Sequence, residues 1–199
     1  ITSSARGISD TDVVVGWTRW PADNTAPQSA FKWNGGVVTL LSPNQQSLYS
    51  HFSEAFGINR QGGHIAGWVE KANESSIYAE SWNGSTTGVH IFSDSLLNST
   101  YWGGAFEGKA NAVNNSDRIV GYCNTDPGTS PSGPHAFVAA GGSITDLNTC
   151  LYLNANWQAL VEAKAINDHT NANGSPAGQI VGFGTTSSGA THAFLFTPP

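Results

Sequence analysis

The amino-acid sequence predicts an all-β fold: four repeats of about four antiparallel strands each, β-propeller-like, with four blades of which the last is incomplete. Three observations carry this expectation. One pattern of apolar, turn and glycine residues recurs four times along 199 residues. Short β-branched and aromatic runs, bounded by Gly, Asn or Asp, fill each copy. Windows of a dozen residues lack helical periodicity, apart from a weak case at 156–165.

The elements of one copy follow in order. The first strand ends on an apolar anchor: Ile8, Ile58, Val113 and Ile166, spaced by 50, 55 and 53 residues. A turn and a second strand follow in ARGISDTDVVVGW (5–17), AFGINRQGGHIAGW (55–68) and ANAVNNSDRIVGY (110–122). The last copy, 163–183, matches once an insertion near 169–176 is allowed. A third strand is expected at SAFKW (29–33), YAESW (78–82), HAFVA (135–139) and HAFLF (192–196). Tight-turn residues come next: NGG at 34–36, NGS at 83–85 and GGS at 141–143. The fourth strand is GGVVTLL, GSTTGVHIF or GGSITDL, and the last copy lacks one because it stops at TPP. The chain therefore reads as a single repeat domain, 1–199, with units near 1–49, 50–104, 105–157 and 158–199. An uncovered sheet edge in the fourth unit invites pairing with another chain.

Composition narrows the function. Charged residues are 11% of the chain, and Lys+Arg 8 against Asp+Glu 14 gives a net charge of −6. Phosphate binding needs clustered Lys and Arg, so DNA and RNA are not expected partners. Apolar stretches near 18 residues are absent, so no membrane span is expected. A start at Ile1 without a visible signal peptide, in a sequence lacking Met, fits a processed or trimmed chain. Cys123 and Cys150 admit two readings: a metal or redox pair, or the favoured one, a disulfide in an exported protein. Candidate N-glycosylation sequons begin at Asn73, Asn83, Asn98, Asn114 and Asn173, though chance produces several in a chain rich in Asn and Ser.

The repeated words resemble the HAF-type extracellular repeat of bacterial secreted proteins. The last stretch carries most of the likeness: Asp146-Leu147-Asn148, Trp157, Glu162-Ala163, Ala165-Ile166-Asn167-Asp168, Gln179-Ile180-Val181-Gly182 and His192-Ala193-Phe194-Leu195. All four units share it, more loosely in the first, where Ser29 replaces the His and Ser9 the Asn. The resemblance implies export and a β-propeller-like fold. It implies no particular activity and no catalytic residues, and a fold does not fix a function.

The repeat accounts for most chemistry-bearing residues. His135 and His192 share a position with Tyr78 and Ser29, which suits a blade-edge packing or hydrogen-bonding role better than a metal site. His51, His64, His90 and His169 lack ligand-like spacing. Glu54 and Glu162 lie four residues before an anchor and Glu107 six before, so they read as framework hydrogen-bonded to backbone. Glu80 stands where Phe31, Phe137 and Phe194 stand, as a site or, preferably, a local change in packing. Asp10 with Asp12, and Asp168 with Asn171 and Asn173, match no EF-hand spacing, so no metal is expected. The nucleophile and phosphate-loop motifs are absent, and no cofactor is expected.

The aromatics divide in two. Trp17 and Trp68 share a position with Tyr122 and Phe183, and Trp33 and Trp82 share one with Phe196; these are framework. Trp20, Tyr101, Trp102, Trp157 and Tyr49 fall in connections. For Trp157 and Tyr49 sealing between blades is preferred. Trp20, Tyr101 and Trp102, amid Asn, Ser and Thr, are the candidate ligand-binding residues, either as sugar-stacking faces or as seals. The sequence thus favours a non-enzymatic extracellular or cell-surface module binding glycans or other polymers. The alternative is a structural subunit of a filament or oligomer, completed by strand exchange between chains. A secreted polysaccharide hydrolase or lyase ranks third, because no reacting pair is visible.

Overall fold

A computed structural model describes residues 2–19, 27–41, 52–70, 76–91, 107–124, 133–151 and 156–198. These form four antiparallel sheets, each a simple meander in chain order. Sheet one holds β1 (Thr2–Ile8), β2 (Val14–Arg19), β3 (Ser29–Asn34) and β4 (Val37–Leu40). Sheet two holds β5 (Ser53–Ile58), β6 (His64–Glu70), β7 (Ile77–Asn83) and β8 (Val89–His90). Sheet three holds β9 (Gly108–Val113), β10 (Ile119–Asn124), β11 (Pro134–Ala140) and β12 (Ser143–Asp146), followed by a 3-10 turn, Leu147–Cys150. Sheet four has three strands: β13 (Trp157–Ile166), β14 (Ile180–Thr186) and β15 (Thr191–Phe196). Among the described residues, no helix is long and apolar enough to cross a membrane.

Two repeat positions explain the shared local geometry. The residue after the anchor closes the first turn of every sheet. Asn59 Oδ1 accepts from the amides of Gly63 and His64, Asn114 Oδ1 from Ser116 and Arg118, and Asn167 Oδ1 from His169 and Gln179. Ser9 Oγ does the same for Thr11 and Val13, which is why Ser substitutes for Asn in the first unit. In the second strand, Gly16, Gly67, Gly121 and Gly182 lie against a bulge in the first strand. A Cβ at any of them would sit on the carbonyl oxygen of Ser4, Glu54, Lys109 or Glu162. The first-strand register shifts nearby in all four sheets, so the glycine is fixed by the bulge.

The weak helical pattern at 156–165 is a strand. β13 is ten residues long, and its register against β14 shifts three times. Each shift adds a residue out of step, and the apolar spacing drifts from two toward the helical period. Trp157, placed by the sequence in a connection, is the first residue of this strand and meets Phe194 edge-on at 6.5 Å.

The sheets pack in series, and each sheet's forward face meets the back face of the next. Val15 and Ala30 on sheet one, and Ala66 and Ala79 on sheet two, lie in one core with Ile65, Trp82, Val113, Ile119 and Phe137. Val120 and Ala136 of sheet three join a second core with Leu160, Ile180 and Phe194. The first strand of each later sheet lies against strands of the sheet before it.

The expected disulfide does not form: Cys123 and Cys150 are both free thiols. Cys123 sits in the first core on β10. Cys150 ends the 3-10 turn that continues β12, and β11 separates β12 from β10. Two strand spacings of about 4.8 Å exceed the Cα separation of about 7 Å that a disulfide can bridge. Burial, with the charge of Asp146 added, pushes the Cys123 thiol up to about 12.

Candidate functional site

Each turn that joins a first and a second strand lies beside the corresponding turn of the next sheet, and a polar clasp links the two. Between sheets one and two, Arg60 Nε donates to Asp10 Oδ2 at 2.8 Å, and the Asp10 amide donates to the Arg60 carbonyl. Between sheets three and four, Asn115 donates to Asp168 through its backbone amide at 2.7 Å and through Nδ2 at 2.8 Å. Asn114 Nδ2 adds a bond to the Asn167 carbonyl.

Between sheets two and three the clasp is a histidine–carboxylate pair. His64 Nδ1 lies 2.7 Å from Asp117 Oδ1. Asp117 adopts a left-handed φ of 55°, as Asp12 does at 61° and Gly62 at 77°, which aims its carboxylate at the preceding sheet. The pair borders a cleft of about 330 Å³, lined also by Ser81, Asn83, Ile119 and Ile144. The imidazole is buried, and among the described residues its Nε2 has no hydrogen-bond partner. Sequence reasoning missed this pair because the partners are 53 residues apart. One repeat length of separation was the only available signal.

Glu54, Glu107 and Glu162 are tied into the framework through side chains rather than the backbone partners expected, and His135 through a carboxylate. Glu54 takes Arg6 and Trp68 Nε1. Glu107 accepts from Tyr122 Oη at 2.8 Å, and burial followed by this hydrogen bond pushes the phenol pKa up. Glu162 accepts from Asn111 at 2.8 Å and pairs with Lys164. His135 Nδ1 lies 2.7 Å from Asp146 Oδ2. Within sheet three, the HAF word supplies the histidine and Asp146-Leu147 its carboxylate. His192 is exposed on β15, in a sheet without a described fourth strand. Burial alone would raise the Asp146 pKa. Hydrogen bonds from His135 and from the backbone and side chain of Asn148, with the charge of His135, outweigh burial and hold the carboxyl below its ordinary 3.8. Glu80 is fully buried on β7, and Gly88 leaves space for its carboxylate.

Trp20, Tyr101 and Trp102 lie outside the described residues, as do Tyr49, His51, Asn73 and Asn98. Asn83 and Asn173 are exposed, at the end of β7 and in the turn before β14. Asn114 is buried with both ends of its amide engaged, so the fold closes it to a glycan. Among the described residues, no group of three or more His, Cys, Asp or Glu could hold a metal ion.

The two ends of the sheet series stand out. On the forward face, Val15, Ala66 and Val120 occupy one repeat position and are fully buried, whereas Val181 in sheet four is 44% exposed. Leu195 beside it is 65% exposed. On the back face, Trp82 of sheet two is fully buried, but its counterpart Trp33 in sheet one is 36% exposed. Ile8 is 66% and Val38 57% exposed on the same face. The chain matches no protein-family model, no curated protein and no solved structure.

Proposed function

We propose that this chain is a non-enzymatic extracellular module of HAF-repeat type that works by holding other molecules. Its sheets are blades of a propeller-like series, and its open end faces join it to an assembly. The observation that carries this reading is the pair of apolar end faces, where Val14 repeats the buried Ile65, Ile119 and Ile180, and Val181 repeats the buried Val15, Ala66 and Val120. Exposed apolar faces of this kind mark interaction sites. Commitment of Glu54, Glu107, Glu162 and His135 to framework contacts supports a non-enzymatic role.

The connecting segments then meet a glycan or other surface polymer, with Trp20, Tyr101 and Trp102 as stacking faces. Immobilised chain screened against a glycan array tests this half of the reading. Retention of a polysaccharide by the native chain, lost in Trp20→Ala or Trp102→Ala, is the expected result. Shortening of the polysaccharide during incubation would overturn the non-enzymatic assignment.

A further inference from the structure

The repeat supplies both halves of an interface that the four described sheets leave open. Each back face of sheets two to four packs on the forward face before it. Sheet one carries the same back face, built from Ile8, Val14, Trp33 and Val38 in register. Sheet four presents a forward face built from Val181, Phe183, Ala193 and Leu195, in which Leu195 adds apolar surface where Lys32, Ser81 and Val138 stand in the other sheets. Ala193 is exposed there, although its counterparts Ala30, Ala79 and Ala136 are completely buried. At Val181 and Ala193 on one face and at Val14 on the other, the two faces therefore repeat positions that three junctions within the chain bury.

We infer that the forward face of sheet four docks on the back face of sheet one of a second copy of this chain, head to tail. The inference rests on the assembly half of the functional reading and names its partner. It differs from strand exchange at the β15 edge, because the contact is face to face and leaves the backbone ladder untouched. Such a contact is heterologous. Copies add in one direction and form an open filament or, where the rotation closes, a ring. In the same register the turn clasp would bring Asp168 opposite Asp10 of the next copy, two carboxylates where other junctions place an Arg or Asn beside an Asp. With a net charge of −6, the copies repel at low salt, and added salt strengthens their association.

The test uses two exposed positions, one on each end. Light scattering follows wild type, Leu195→Glu and Val38→Glu from micromolar to millimolar concentration. Wild-type mass is expected to climb above 20.9 kDa with concentration, while each variant stays a single chain. An equimolar mixture of the variants should give a pair and nothing larger, because each supplies the face the other has lost. The milder Leu195→Ser and Val38→Thr should weaken association in the same sense, which separates face chemistry from misfolding. A wild-type mass constant at all concentrations overturns the inference, as does association that persists in both charged variants. Glycan binding by a chain that stays single would leave the binding half of the functional reading intact.

Discussion

Replacing Asn114 with alanine removes three hydrogen bonds from one buried side chain. Its Oδ1 accepts from the Ser116 and Arg118 amides at 3.0 Å each, and its Nδ2 donates to the Asn167 carbonyl at 3.0 Å. The first two close the β9–β10 turn, and the third ties sheet three to sheet four. At about 1 kcal/mol per net hydrogen bond, the loss is about 3 kcal/mol. For a chain of this size that corresponds to a fall in Tm of about 6–12 °C. The repeat provides the control. Ser9 closes the equivalent turn with a hydroxyl, accepting from Val13 at 3.1 Å and Thr11 at 3.3 Å. Asn114→Ser should therefore keep the turn and lose only the inter-sheet bond, about 1 kcal/mol. Thermal and urea unfolding followed by circular dichroism measure both variants. If Asn114→Ala unfolds within about 0.5 kcal/mol of wild type, or the serine variant falls as far as the alanine variant, the assigned role of this position is wrong.

Other expectations follow from the same contacts. Gly121→Ala would drive a Cβ onto the Lys109 carbonyl at the β9 bulge, costing about 2–4 kcal/mol in urea unfolding; a neutral result would refute the bulge as the reason for glycine. Asp146 has a folded pKa below 3.8, so its contribution is present above that pH and lost as pH falls through the folded value. Asp146→Asn should accordingly flatten the acid limb of a Tm-against-pH curve below about pH 4, and an unchanged limb would contradict the assignment. In the native state a thiol reagent should modify Cys150 and spare Cys123, which burial holds protonated, with Cys123 reacting on unfolding. A chain with no reactive thiol before reduction would restore the disulfide.

The sequence made the strand content legible because its strongest signals are local. Ile-Val-Gly-aromatic runs, tight-turn glycines and the Asn or Ser after each anchor encode one meander, and four antiparallel sheets are present. Sheet four has three described strands. Contacts one repeat apart were harder to see. His64 looked unremarkable until the fold brought Asp117 onto it from the next sheet, and Glu54, Glu107 and Glu162 took side-chain partners that spacing alone cannot name. The disulfide expectation failed for a related reason. Cysteine count suggests a redox state but not which sheet layer each thiol enters. β13 misled through its bulges. Above all, the open ends were invisible, because Val181 and Val120 read alike in sequence and differ only in whether another sheet covers them.

The central claim is an open-ended series of like sheets, and negative-stain electron microscopy of the concentrated wild-type chain tests it most directly. The account predicts unbranched filaments or rings, which disappear in Leu195→Glu. Isolated particles of a single 20.9 kDa chain at every concentration and salt would contradict it.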